Sequence, residues 1–420
     1  MKQQKQQKKH WIKCLSWLSN MQERRKMIEH LNFDVVIVGV GVSGLYAALN
    51  LSKERKILMI CKENMEDCDS MLAQGGICVM RDENDYDDFF EDTMRAGHYE
   101  NNKESVGIMI RSSRAIIDHL LELGVGFAKN EDGSLQYTKE GAHSKPRICF
   151  HEDTTGKEIT ETLQRHVKNL PNVTIMEYTT MTDILVENGE CCGVIAKSAV
   201  HEDLILHIHA KDTVLATGGI GGLYEHSTNF PSLTGDALVV AKKHGIELEH
   251  LDYVQIHPTS LFSEEAGRSF LISESARGEG AILLNSKGER FVDELLPRDV
   301  VTGAILKEME KEGSKHVWLS FEKVPKDTIR NHFPNIYRTC QDAGYDLTKE
   351  PIPVVPAQHY FMGGIHVDSD SRTTMEHLFA VGETSCNGVH GKNRLASNSL
   401  LESLVFAQRA ARKIEADRKG

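Results

Sequence analysis

FDVVIVGVGVSG, running from Phe33 to Gly44, joins a strand to a helix through a glycine turn, and the fold is read outward from it. Val35 to Val38 is an apolar run suited to a buried parallel strand. Gly39, Gly41 and Gly44 follow at G-x-G-x-x-G spacing as a helical pattern opens. The first glycine permits the tight turn, the second lets backbone approach a pyrophosphate, and the third lets helix pack on strand. Phosphates would then face the partial positive charge of the helix N-terminus. The turn therefore predicts a dinucleotide site. Plain packing of a glycine-rich turn is the alternative, and the identity of the nucleotide rests on other parts of the chain.

Ser43 to Lys53 is expected to form the crossover helix and Ile57 to Cys61 the second strand. A helix over Glu104 to Leu123 puts Val106, Ile110, Ile117, Leu120 and Leu121 on one face, and a second is expected over about residues 156–170. Short β-rich pieces follow at 173–176, 184–186, 193–196 and 204–210, and Thr213 to Ala216 reads as another buried strand ending in Thr217-Gly218-Gly219. From about Leu251 to Tyr360 the pattern loosens into mixed short elements, which predicts an inserted second domain. The nucleotide-binding pattern resumes at the strand Leu378 to Val381, and a last helix begins near Ser397. The expected organisation is a basic, poorly ordered extension over 1–32, a nucleotide-binding domain in two parts over 33–250 and 361–420, and a capping domain over 251–360. The active site is expected between the two domains.

The chain's 420 residues suffice for two substantial cores, and its 40% hydrophobic and 26% charged content is ordinary for a globular protein. No apolar run approaches the ~18 residues of a membrane helix. A formal net charge of −12 argues against general affinity for nucleic acid. Residues 1–30 differ, since eight Lys and Arg against Glu23 and Glu29 give +6 there and leave −18 for the rest. This segment reads as a loose basic arm or as sequence upstream of a start at Met21 or Met27, with a peripheral membrane contact as the alternative. Lys13 inside its short apolar patch argues against a signal peptide. Nine cysteines without a C-x-x-C pair suit a reducing cytoplasm and predict no disulfide, zinc or iron–sulfur site.

Three more motifs narrow the cofactor. SMLAQGGI spans Ser70 to Ile77, ATGG lies at 216–219, and GE then HGKNRLASNSLLE lie within 382–402. Together with the first turn they resemble the succinate dehydrogenase and fumarate reductase flavoprotein superfamily, most closely its L-aspartate oxidases, over about residues 33–416. The resemblance implies an α/β fold, a Rossmann-like FAD-binding domain of glutathione-reductase type split by an inserted α+β capping domain. In the membrane-bound branches a histidine ties the flavin covalently. That position here is Asp69, so FAD is expected to bind non-covalently. By resemblance, Val40, Gly41, Val42 and Ser43 hold the pyrophosphate, with Lys62 at the end of the second strand. Further flavin contacts are implied at Asp69, Ser70, Met71, Leu72, Ala73, Gln74, Gly75 and Gly76, at Thr217, Gly218 and Asp236, and at Glu383, Asn398, Ser399 and Leu400. A helix opening near Asn398 would turn its positive end to the isoalloxazine ring, and Ser397 or Asn398 could also simply cap it.

TKEGAHS, Thr138 to Ser144, resembles the T-R-E-G-G-H-S stretch of aspartate oxidases. Aspartate differs from succinate by one ammonium, and a carboxylate at Glu140 would favour it through a charge-assisted hydrogen bond. QIHPTS, LLPRDVV, PAQHYFMGG and KNRLASNS match family substrate motifs and supply Gln255, His257, Arg298, His359 and Arg394. Two arginines can each hold a carboxylate through paired N–H donors, with histidines adding donors at fixed angles. Ser273 stands where the family usually has Thr and keeps a hydroxyl for a substrate carboxylate. The resemblance makes Arg298 the acid/base, with Glu274 and Arg277 relaying the proton. An ordinary ion pair between Glu274 and Arg277, one helical turn apart, is the plain alternative.

The implied reaction is oxidation of L-aspartate to iminoaspartate, with dioxygen or fumarate reoxidising FAD, as the first step of the quinolinate route to NAD. Quinolinate synthase is the implied consumer of the imine. A soluble fumarate reductase or succinate dehydrogenase-like flavoprotein using the same clamp is the nearest rival, and a non-catalytic flavoprotein subunit is a third reading. Many aspartate oxidases continue into a C-terminal helical domain, whereas this sequence stops at Gly420. Ala142 and Ser273 are milder departures.

Overall fold

The computed structural model describes residues 27–201, 203–264 and 267–418, so the basic segment up to residue 26 lies outside the described residues. A βαβ unit opens the fold, made of β1 (Met27–Val38), α1 (Val42–Asn50) and β2 (Ile57–Ile60). Strand β1 is longer than its apolar run. Residues 27–32, expected as part of a poorly ordered extension, instead pair in parallel with residues 204–209. These positions are mostly exposed, so ladder hydrogen bonds rather than burial hold them, and no hydrophobic signal marks them. Three helices follow, α2 (Tyr86–Ala96), α3 (Lys103–Glu122) and α4 (Thr155–Lys168). Asn102 caps α3, its side chain accepting from the amides of Glu104 and Ser105.

Four strands come next, β3 (Val173–Met176), β4 (Thr179–Glu187), β5 (Glu190–Ser198) and β6 (Leu204–Leu215), and then α5 (Asp236–Lys243). The two strands expected at 204–210 and 213–216 are one. The polar pair between them is accommodated because Lys211 is exposed while the buried Asp212 carboxylate meets His377 Nδ1 at 3.0 Å.

The segment from residue 254 builds a second body. It runs β7 (Val254–Leu261), α6 (Glu274–Gly278), β8 (Ile282–Leu284), α7 (Arg298–Glu312), β9 (Val317–Ser320), α8 (Lys326–His332), α9 (Pro334–Asp342) and β10 (Ile352–Phe361). Its four strands form an antiparallel sheet in the order β7-β10-β9-β8. Leu283, Val301, Ile305, Leu319, Phe333 and Val354 belong to its separate apolar core. The chain then returns through β11 (Leu378–Ala380) and ends in α10 (Asn398–Asp417).

The large sheet has the order β3-β2-β1-β6-β5-β4, with β11 beside the C-terminal end of β6. Strands β3, β2, β1, β6 and β11 run parallel, and β4 and β5 add an antiparallel edge. One face is covered by α1, α3, α4 and α10, whose Leu45, Ile110, Leu163 and Leu404 share a core with Val35 and Ile37. The carboxyl ends of β1, β2, β6 and β11 converge, and ligands of open α/β sheets bind outside such ends.

The two bodies are joined by a capping contact. Asp153, just before α4, accepts from Asn335 N at 3.1 Å and Ile336 N at 2.6 Å, the otherwise unpaired amides at the start of α9. Asp153→Ala is expected to lower unfolding free energy by about 1–2 kcal/mol in urea melts, because it leaves one buried and one half-buried helix-end donor without a partner.

Candidate functional site

A single cavity of about 1730 Å3, counted with its mouth, runs from the β1–α1 turn to the inner edge of the second body. At the turn, Gly39 has φ of +115°, and a Cβ there would lie 2.0 Å from Ala216 O. Gly44 has the same kind of duty, because its Cβ would meet Gly39 O at 2.3 Å. It holds α1 against the turn without lining the cavity. Gly41, Val42 and Ser43 form the wall between them, and Ser70 Oγ accepts from Val42 N at 3.1 Å. Thr217 and Gly218 line the opposite side after β6. Toward the mouth, Lys62 Nζ is held by Asp236 Oδ2 at 2.8 Å, Thr234 Oγ1 at 2.9 Å and Ser232 O at 3.0 Å.

The middle of the cavity is made by residues 69–76, all of which reach the wall except Met71. Asp69 accepts from Phe230 N at 2.9 Å through Oδ1, while its buried Oδ2 has no partner. Gln74 Oε1 is likewise buried and unpaired. Burial pushes the Asp69 carboxyl up to about 7. Glu383 accepts from Phe361 N at 2.9 Å, and burial followed by the charge of Asp69 pushes it up to about 8. Ser399 and Leu400, in the first turn of α10, also line the wall, whereas Asn398 is fully buried and bonds Thr93 Oγ1 at 3.2 Å behind it.

At the inner end, charged groups converge. Arg298 donates through Nε to Glu274 at 2.6 Å and through Nη1 to Gln255 Oε1 at 2.8 Å. Burial pushes the Glu274 carboxyl up, but Arg298 and Arg277 outweigh it and hold it below the usual carboxylate range. Arg394 donates to Ser399 Oγ at 2.8 Å, lies over the Tyr360 ring at 4.4 Å, and keeps a buried Nε without a partner. Burial, then the charge of Arg298, lowers it to about 10. His257 and His359 meet edge to face at 5.0 Å. Burial and then Arg298 hold both rings well below the usual histidine range, so they are neutral. His257 Nδ1 lies 3.1 Å from Thr259 O and 3.2 Å from Thr259 N, and its Nε2 is buried and unpaired.

Glu140 sits on this same wall and is only 2% exposed. Ser275 Oγ donates to its Oε1 at 2.8 Å and Ser397 Oγ to its Oε2 at 2.5 Å. Burial and the nearby Glu274 raise its carboxyl above the usual range, against the pull of Ser397, Arg298 and Ser275.

Some expected residues lie behind the wall. Gln255 reaches no free space: its Nε2 holds Asn393 Oδ1 at 2.9 Å and Arg394 O at 2.8 Å, so it orients both arginines. Arg277 is also behind, donating to Glu294 O at 2.5 Å and facing Glu274 at 3.4 Å. Ser273 does line the cavity, but its hydroxyl also caps α6 and donates to Ser275 Oγ at 3.2 Å. Sequence reasoning passed over Ser275, Arg268 and Tyr360 and offered Ser397 only as a helix cap, whereas its hydroxyl makes no cap bond and goes to Glu140. Ser397 and Tyr360 stand inside quoted motifs, whereas Arg268 comes from a loop without periodicity and reaches the cavity near Asp69.

The wall suits a long, anionic cofactor with a polar ring. It joins a backbone cradle at a helix N-terminus to the orphaned acceptors of Asp69 and Gln74 and to a guanidinium-rich end. The FAD binding domain family matches residues 34–400 of the chain. An L-aspartate oxidase of Clostridium perfringens is 52% identical over 382 residues, covering 91% of this chain and 86% of that protein. One of Neisseria meningitidis is 40% identical, covering 91% and 77% respectively. A quinol-fumarate reductase structure superposes with a TM-score of 0.86 at 31% identity, covering 92% of this chain and 71% of that one. No helix among the described residues is long and apolar enough to cross a membrane. Gly41→Val, which fills the cradle beside Ser70, is expected to reduce flavin absorbance per mole of purified protein by about tenfold or more, with the far-ultraviolet circular dichroism preserved.

Proposed function

The chain belongs to the L-aspartate oxidase family of FAD-binding flavoproteins, and from that membership we propose that it oxidises L-aspartate to iminoaspartate. The observation that carries this reading is the place of Glu140: buried, its two oxygens held by serine hydroxyls, in the same cavity wall as Arg298 and Arg394. Residues 33–250 and 361–420 hold FAD on this reading, and 251–360 cap the substrate. FAD, when bound, supplies the two-electron acceptor for the Cα–H and amine.

Arg298 and Arg394 grip the two carboxylates, and the neutral His257 and His359, with Ser273, add hydrogen bonds. Glu140 takes the ammonium. The charges at this end agree: three guanidiniums on Arg277, Arg298 and Arg394 against two carboxylates on Glu140 and Glu274 leave one positive charge for an aspartate of net charge −1. With Glu140 protonated the excess becomes two, which suits fumarate and supports that diacid as an alternative electron acceptor to dioxygen. Arginine in isolation is a poor base. Glu274, at 2.6 Å from the Arg298 Nε–H and kept ionised by its two arginines, is therefore the carboxylate that would receive the Arg298 proton whenever that guanidinium gives one up, with Arg277 next in line. A cytoplasmic location and delivery of the imine to quinolinate synthase complete the reading.

Anaerobic addition of aspartate is expected to bleach the flavin of the purified protein; an unchanged spectrum with FAD bound would refute the assignment. Glu140→Gln is expected to lower kcat/KM for aspartate by roughly a hundredfold, the scale of a lost charge-assisted contact, and to affect fumarate reduction far less. Because Glu140 must be ionised and its carboxyl lies above the usual range, kcat/KM for aspartate should fall on acidification at a higher pH than an ordinary carboxylate would give.

A further inference from the structure

We propose that Ser275 is a positioning residue that sets the enzyme's preference for an amino acid over a plain diacid by aiming the Glu140 carboxylate. The inference rests on the reading of Glu140 as the ammonium partner. Ser275 is 2% exposed and sits in the single turn of α6. Neighbours on a helix point about 100° apart. Glu274 accordingly faces Arg298, while Ser275 turns to Glu140.

A short chain of hydroxyls fixes the direction of the bond. Ser273 Oγ donates to Ser275 Oγ at 3.2 Å, which occupies an acceptor position on that oxygen and commits its own proton to Glu140 Oε1 at 2.8 Å. A Cβ at Gly75 would meet the same Oε1 at 2.3 Å. Oε1 is thus held by the Ser275 hydroxyl close to the Gly75 backbone, and Ser397 holds Oε2.

The charged and titratable groups facing the carboxylate are Glu274 and Arg277 from α6, Arg298 from α7, and Arg394 and Cys78 from the flavin side. Glu274 and burial favour the protonated carboxyl, and the two serine hydroxyls favour the ionised form that an ammonium requires. A diacid without an amine makes no such demand. Ser275 therefore acts on one class of substrate through Glu140, without touching the reacting atoms.

The test compares flavin-loaded Ser275→Ala, Ser275→Thr and parent enzymes in aspartate oxidation with dioxygen and in fumarate reduction by a chemical reductant. For Ser275→Ala the ratio of kcat/KM for aspartate to that for fumarate is expected to fall about tenfold, the effect of one lost hydrogen bond to a charged group. Its acidic limb with aspartate should move to higher pH, because the ionised carboxylate has lost a donor. Ser275→Thr, which keeps the hydroxyl, should restore both. An unchanged ratio, or an equal loss with both substrates, overturns the proposal while leaving aspartate oxidation intact. A parent enzyme that reduces fumarate but never oxidises aspartate would overturn the functional reading, and this inference with it.

Discussion

The pairing of Glu274 with Arg298 and Arg277 is the interaction on which the charged end of the cavity depends. All three side chains are buried, with nitrogen–oxygen separations of 2.6 and 3.4 Å. Removing one partner of such a group costs about 3–5 kcal/mol, because the survivor is left charged and without compensation in a poorly solvated place. The pairing also spans elements. Glu274 comes from α6 and Arg298 from α7, and Gln255 on β7 links Arg298 to the backbone of Arg394 on the flavin side. The two bodies of the fold are thereby tied together at the charged end of the cavity.

Around this pairing, several donors are held by the protein's own groups. His257 and His359 are kept neutral by burial and by the arginines, so they act as fixed dipoles. Arg394 is pinned by Ser399 and the face of Tyr360. Groups held in this way need little reorganisation as charge shifts during reaction, which is the condition under which electrostatic stabilisation is strongest. The rigidity comes from the apolar framework behind them. Strand β7 and helix α7 rest on one core, and α10, which begins beside Arg394, rests on the other.

Much of this was legible in the chain. The β1–α1 turn, strands β2, β3 and β11 and helices α3, α4 and α10 announce themselves by apolar period and by glycine placement, since burial on one face dictates both. The start of β1 at Met27 does not, because an exposed edge needs only backbone pairing. The join within β6 at Lys211-Asp212 resembled a break, because the partner of Asp212 is His377, far along the chain. Helix α2 is mostly polar, and its buried Asp92 holds Arg147 at 2.7 Å, a contact that no periodicity reports. At the site, arginines and histidines in long motifs were visible as types. Whether each faced the cavity or stood behind it was not. Gln255 and Arg277 act through neighbours, and Ser275 gains its meaning only when α6 is folded against Glu140.

Gly75 carries a last consequence. Its backbone forms part of the wall where the flavin is held, yet its missing side chain is also the space that Glu140 Oε1 fills. On the proposed reading, the wall that holds the flavin and the carboxylate that takes the amine therefore meet at one residue. Any side chain added at Gly75 would displace the carboxylate beside it, so a change made there to grip a different prosthetic group would also disturb Glu140.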